Sequence, residues 1–266
     1  MEEQYKKIIE AAKAGGQILK QYFGQNLDIE QKSSPADIRT KADLESEVAI
    51  LKILKKEFPD YNIHSEEEGK TNNKSEFTFV IDPLDGSHNF VTGIANFSVS
   101  IALMKGDEIE VGIIYQPILD RVYYAQKNKG AFLNDNRISV SAESDIKKSS
   151  LSYVAAYGHS AEDYGEIMRR LELSGAKRVF YNWSVAMDFC YLATGKMEAI
   201  INDGCEIYDY LAGKIIAKEA GAVILDFAGQ VEQAEKNDKF VFHMSESNGN
   251  LSLSLHINQQ SLNLSK

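Results

Sequence analysis

The chain has 266 residues, 44% of them hydrophobic, enough for a sizeable core in one large domain or two lobes. A formal net charge of −10 argues against a nucleic-acid or membrane-surface partner, since both want a basic face, but leaves room for a small anionic ligand where metal ions or backbone N–H groups reverse the sign locally. The two cysteines, Cys190 and Cys205, lack metal-site spacing and read as free thiols; Met1-Glu2-Glu3-Gln4-Tyr5 lacks a leader profile and no apolar run approaches the ~20 residues of a membrane span, so a cytoplasmic chain is expected.

Residues 3–23 carry Ile8, Ala12, Gly15, Leu19 and Phe23 at helical spacing and predict an amphipathic helix ending at Gly24. Residues 42–58 predict a second, with Leu44, Val48, Leu51, Leu54 and Phe58 as its apolar stripe and Pro59 as its stop. The stretch 31–41 between them reads as a polar loop. Residues 77–82, 96–104, 109–116 and 121–126 read as strands, with Gly106-Asp107 as a hairpin turn. The polar stretch 141–150 reads as the hinge between a lobe of residues 1–145 and a lobe of residues 146–266. Beyond it a strand at 151–157, helices at 161–174, 184–194 and 209–220 closed by Gly175, Gly195 and Gly221, and a strand at 198–202 are expected. In the Ser/Asn-rich tail, Leu251, Leu253, Leu255 and Ile257 alternate as in a strand. There are no internal repeats. Helices, then many strands, then alternating β and α predict a layered α/β architecture.

The run Phe79-Val80-Ile81-Asp82-Pro83-Leu84-Asp85-Gly86-Ser87-His88-Asn89-Phe90 carries the most chemistry. An apolar strand ends in Pro-Leu-Asp-Gly, a turn that points two carboxylates at one spot. Gly86, Ser87 and His88 then offer backbone N–H groups, as at a helix start. Carboxylates that hold Mg²⁺, beside N–H groups that hold phosphate, make a phosphoryl-transfer site. A bare pair of aspartates three apart would read better as an acidic surface turn; the whole string is more specific.

That string resembles the first signature of the inositol monophosphatase family of Mg²⁺-dependent phosphatases, D-P-[LI]-D-G-[ST]-x-N-[FY]. Lys32 to Asp43 resembles the family's K-x-S-P-x-D-x-x-T-x-x-D loop, and Ser65-Glu66-Glu67-Glu68-Gly69 its paired-glutamate segment. Gly112 to Pro117 and Gly130 to Asn134 resemble its middle hairpins, and Tyr208-Asp209-Tyr210-Leu211-Ala212-Gly213 with Glu219-Ala220-Gly221 its second signature. The likeness is collinear from about residue 5 to about 230 and implies an αβαβα sandwich of two lobes with the active site between them; for the tail it implies a helix, against the alternation there.

The resemblance implies two or three Mg²⁺ ions held by Glu66, Asp82, the Leu84 carbonyl, Asp85 and Asp209, with Glu67 behind Glu66. It makes Gly86 and Ser87 the phosphate cradle, and Ser87 and Asp43 a hydroxyl–carboxylate pair that orients the attacking water, with Glu66 also catalytic. Read singly, Glu66-Glu67-Glu68 is a solvated acidic loop, and Thr40, Asp43, Ser87 and Asp209 are helix caps. His88 stands at a position that varies in the family. Trp183-Ser184-Val185-Ala186 replaces the usual G-[ST]-A-A of the sugar-binding loop, Asn202 (beside Asp203) stands where inositol-specific members have a glutamate, and Tyr208 and Leu211 replace a Trp and a small residue. Trp183, Ser184 and Asn202 are therefore expected to shape the substrate pocket. The expected activity is hydrolysis of a small phosphorylated polyol or sugar such as inositol-1-phosphate, by a cytoplasmic homodimer with no nucleic-acid or membrane partner. The alternatives are a 3′(2′),5′-bisphosphate nucleotidase, a histidinol-phosphatase, a fructose-1,6-bisphosphatase, or a partner-binding protein with a relic site. No P-loop or G-x-G-x-x-G string supports a nucleotide-binding module.

Overall fold

The computed structural model describes residues 2–32, 37–155, 160–227, 229–232 and 235–243. Residues 33–36 of the first loop motif and the alternating tail lie outside the described residues. The first half runs α1 (Lys6–Tyr22), β1 (Ile29–Gln31), β2 (Ile38–Thr40), α2 (Lys41–Glu57), β3 (Asn62–Ser65), β4 (Gly69–Lys70), β5 (Phe77–Asp85), α3 (Ser87–Val91), β6 (Ser98–Lys105), β7 (Glu108–Gln116), β8 (Arg121–Gln126), β9 (Ala131–Leu133) and β10 (Asn136–Arg137). The second half runs β11 (Ser150–Ala155), α4 (Ala161–Leu173), β12 (Arg178–Phe180), α5 (Val185–Ala193), β13 (Ala199–Asp203), α6 (Ile207–Glu219), β14 (Val223–Leu225) and β15 (Lys239–His243).

These elements stack as an αβαβα sandwich. An eight-stranded sheet has the order β10-β9-β8-β7-β6-β5-β3-β4, and a five-stranded sheet the order β12-β11-β13-β15-β14. The first is antiparallel except where β3 runs parallel to β5. Strand alternation makes the layers. On β5, Phe79 and Ile81 face α1 and α2, where they join Ile8, Leu19, Ile50 and Leu54. Val80 faces the other way and joins α5 and α6, whose Phe189, Leu211 and Ile215 also meet Val154, Ile200 and Phe240 of the second sheet. The far face of that sheet, with Leu151, Tyr153 and Ile201, takes Leu171 of α4. The helices of the second half are thus sandwiched in a core shared by both sheets. α6 lies so close to β7 that a Cβ on Gly112 would come within 2.5 Å of the Ala212 carbonyl oxygen.

Three expectations change. Leu44 and Val48 are 40% and 66% exposed. The buried face of α2 is Asp43, Ser46, Glu47, Ile50, Leu51 and Leu54, because this helix turns its polar first turns toward the carboxylate loops and only its second half into the core. The stretch 31–41 is not wholly loop: Ile38–Thr40 pairs antiparallel with Ile29–Gln31. The strands at 62–65, 178–180, 223–225 and 239–243 had no alternation long enough to be read.

Candidate active site

The site begins where β5 loses register with β6. Asp82 pairs with Ser100 and Asp85 with Ser98, so Pro83 and Leu84 form an irregular step between them. The step is pinned from both sides: the Leu84 N–H donates to Asp82 Oδ1 at 2.9 Å, and Ser46 Oγ of α2 donates to the Pro83 carbonyl at 2.9 Å. Gly86 follows at φ +87°, and a Cβ there would sit 3.0 Å from the Asn96 carbonyl oxygen and 3.1 Å from Ser184 Cβ. Only glycine suits a left-handed residue so enclosed.

Asp85 joins the two halves. Its carboxylate accepts from Ser98 Oγ (3.1 Å), from the Ala186 N–H (3.2 Å) and from Ser184 Oγ. These bonds work against burial, which wins and pushes its pKa up to about 6. Asp82 is raised well above the usual carboxylate range by burial, with Glu66, Asp85 and Asp209 adding repulsion. Asp209 is raised by burial and then by Glu66 and Asp85, while its Oδ2 also accepts from the Glu206 N–H at 3.0 Å, so it caps α6 as well. Glu66 is pushed up to about 7 by burial, against the opposing pull of Lys32. Lys32 Nζ lies 2.8 Å from Glu66 Oε1 and 2.5 Å from Glu67 Oε1, and Arg39 holds the other Glu67 oxygen at 3.0 Å. Glu47 of α2 shapes this turn by accepting from Ser65 Oγ and from the Glu67 and Glu68 N–H groups.

Among the described residues, no three His, Cys, Asp or Glu side chains converge closely enough to grip an ion as they stand. The donor set nonetheless suits a hard cation: Glu66, Asp82, Asp85 and Asp209 line one cavity with Leu84, all offering oxygen, and burial raises the pKa of each acid, with repulsion from neighbouring acids of the set adding to it at Asp82 and Asp209, a cost that a cation would relieve.

Asp43 serves two masters. Its Oδ2 accepts from Thr40 N–H (2.8 Å) and Thr40 Oγ1 (2.7 Å), closing the capping box of α2. Its Oδ1 is 3.3 Å from Ser87 Oγ, which also lies 3.0 Å from the Leu84 carbonyl. Burial pushes the Asp43 pKa up to about 6.

The cavity holds about 360 Å³. Gly86, Ser87, His88, Trp183 and Ser184 line it; Asn202 and Asp203 do not. Asn202 is sealed in the sheet, donating to the Asp238 carbonyl at 2.5 Å and accepting from Cys205 Sγ at 3.2 Å, and Lys239 lies 3.3 Å from Asp203. Leu211 is core. Tyr208 stands beside the acids, its hydroxyl pKa raised by burial and then by Glu66 and Asp209. The cavity residues that went unread in the sequence include Tyr153, Tyr181, Asn182 and Asp188, which bring polar groups to its wall. Asp188 was the detectable one, a lone acid in an apolar helix. It accepts from Ser152 Oγ (2.5 Å) and Asn182 Nδ2 (2.7 Å), and burial pushes its pKa to about 7. Cys190 and Cys205 are free thiols, and no described helix is long and apolar enough to cross a membrane.

Comparison with known proteins places the sequence and the fold. The model of the inositol monophosphatase family matches residues 1–260. The chain is 33% identical over 227 residues to a fructose-1,6-bisphosphatase/inositol-1-monophosphatase of Thermotoga maritima, covering 85% of this chain and 86% of that protein. It is 33% identical over 219 residues to the Nus factor SuhB of Haemophilus influenzae, covering 82% of each. The solved structure of the extragenic suppressor protein SuhB from Bartonella henselae superposes with a TM-score of 0.84 at 29% identity, over 91% of this chain and 93% of that one.

Proposed function

Because the chain belongs to the inositol monophosphatase family, we propose that it is a Mg²⁺-dependent phosphomonoesterase acting on a small phosphorylated polyol or sugar, inositol-1-phosphate among them. The observation that carries this reading is the gathering of Glu66, Asp82, Asp85 and Asp209 in one cavity with Ser87. Two or three Mg²⁺ ions held by these carboxylates and the Leu84 carbonyl would neutralise the phosphate charge and acidify water. The chain's own residues do the positioning. Thr40 occupies Asp43 Oδ2, leaving Oδ1 for the Ser87 hydroxyl, whose oxygen keeps lone pairs to orient the attacking water. Water oxygen bonds to phosphorus as the ester P–O bond breaks, and the alcohol leaves with a proton. Gly86 and Ser87, at the start of α3, cradle the phosphate. The family reading also extends to a cytoplasmic homodimer. A second reading, a partner-binding protein with a relic site, draws on the relatives named Nus factor SuhB; the full set of carboxylates favours the enzyme.

The carboxylates give this reading a test without turnover. Asp43 and Asp85, raised to about 6, and Glu66, raised to about 7, bind protons more tightly folded than unfolded. Their raised pKa values therefore favour the fold at low pH, and that advantage is lost as pH rises from about 4 to about 7. The melting temperature of chelator-treated protein should fall across the upper part of that window, and Mg²⁺, binding only the native state, should reverse the fall. A melting temperature at pH 7.5 indifferent to Mg²⁺ would count against the metal site.

A further inference from the structure

Trp183 is the only tryptophan of the chain, and its backbone sits at φ +57°, in the left-handed region that L side chains avoid. Both neighbours hold it there. The Asn182 carbonyl accepts from Asn89 Nδ2 at 2.8 Å, and Asn182 Nδ2 donates to Asp188 at 2.7 Å. On the other side, Ser184 Oγ is bound to Asp85. A glycine would meet this conformation without strain. The indole does not recover the cost by packing in the core, for Trp183 is 55% exposed on the cavity wall. Strain that the surroundings over-determine and that core packing does not explain points to use. The ring is also braced. Tyr181, 45% exposed, meets it in a T-shaped pair at 6.3 Å, and Tyr164 supports Tyr181 at 5.9 Å. Meanwhile Ser184 and Asn202, the polar groups expected to read hydroxyls, are spent on Asp85, Asp238 and Cys205.

We propose that Trp183 is a stacking ledge, and that the preferred ester of this site carries a planar aromatic ring, a nucleobase or a smaller aryl group, on its alcohol half. This rests on the phosphatase reading above and goes beyond it in the substrate: inositol-1-phosphate is accepted, and an ester with a flat ring is preferred to it. A flat ring gains offset-stacking or edge contacts on the indole that a puckered polyol does not.

Benzyl phosphate and cyclohexylmethyl phosphate test this directly, since both release a primary alcohol of similar size and differ in flatness. With the Mg²⁺-loaded full chain, kcat/KM for the benzyl ester should exceed that for the cyclohexylmethyl ester by about five- to tenfold, the scale of one aromatic pair. Trp183→Gly, which relieves the left-handed strain and so should fold, should bring the ratio to near one, and Trp183→Phe should restore part of it. Trp183 emission in the unmodified protein gives a readout independent of turnover: benzyl phosphate should change it and cyclohexylmethyl phosphate should not. A ratio near one in the unmodified protein, or a ratio that survives Trp183→Gly, overturns the ledge. Emission that responds to benzyl phosphate alone, while no ester is hydrolysed, sinks the phosphatase reading and keeps the ledge. Adenosine 2′-phosphate separates the two ring sources: a stronger response than benzyl phosphate supports a nucleobase, and a weaker one supports a small aryl group.

Discussion

Asp82→Asn combined with Asp209→Asn should abolish phosphate release while the fold survives. The two acids come from opposite halves of the molecule, from the end of β5 and the first turn of α6, and both line the cavity. Each is held above the carboxylate range by burial and by the other acids, so each is costly to keep without a cation. Asparagine keeps the shape and removes the charge that would hold a metal. The charge stabilisation a metal supplies is several kcal/mol, so the loss in kcat should be on the order of 10³-fold or more. The chelator-treated double mutant should melt no lower than its parent, because two repelling acids are gone. Near-native turnover in this variant would show that the metal site is misassigned.

Ser87→Ala should lower kcat by about 10²-fold and leave KM nearly unchanged, because it removes orientation of the water and not binding of the ester. Asp43→Ala should cost a similar factor, and the double variant no more than either alone. The two differ in stability. Asp43 also closes the cap of α2 through Thr40, so Asp43→Ala should lose about 1 kcal/mol that Ser87→Ala keeps. Multiplying losses in the double variant would show that the two residues do not act as a unit.

The turn at Asp82 to Ser87 was legible because its local chemistry is unmistakable: an apolar strand, a proline, a glycine in the left-handed region and two acids. The place of Glu66 and Asp209 was not legible from local pattern; only motif order linked acids so far apart, and the fold brings both to the cavity of Asp82. Periodicity misjudged α2 because Asp43, Ser46 and Glu47 are buried for the site's sake, which makes the inner face polar and leaves Leu44 and Val48 looking like the core. Asn202 shows the converse. Position in a motif suggested a pocket residue, whereas its amide is used inside the sheet, on Asp238 and Cys205. The Lys32 to Glu66 ion pair crosses from the β1–β2 hairpin to the loop after β3, a contact that no sequence spacing reports. Trp183 was visible as an odd residue in its loop, but its left-handed backbone became apparent only with the structure.

The central claim is that these carboxylates serve a Mg²⁺-dependent phosphatase. It is tested most directly by measuring phosphate released by chelator-treated protein, before and after Mg²⁺ is added, from inositol-1-phosphate, fructose-1,6-bisphosphate, histidinol-phosphate, 3′-phosphoadenosine-5′-phosphate and benzyl phosphate. No release without Mg²⁺, and release from at least one ester on its addition, is the result expected. Release that the chelator leaves untouched, or silence on every ester with Mg²⁺ present, would contradict it.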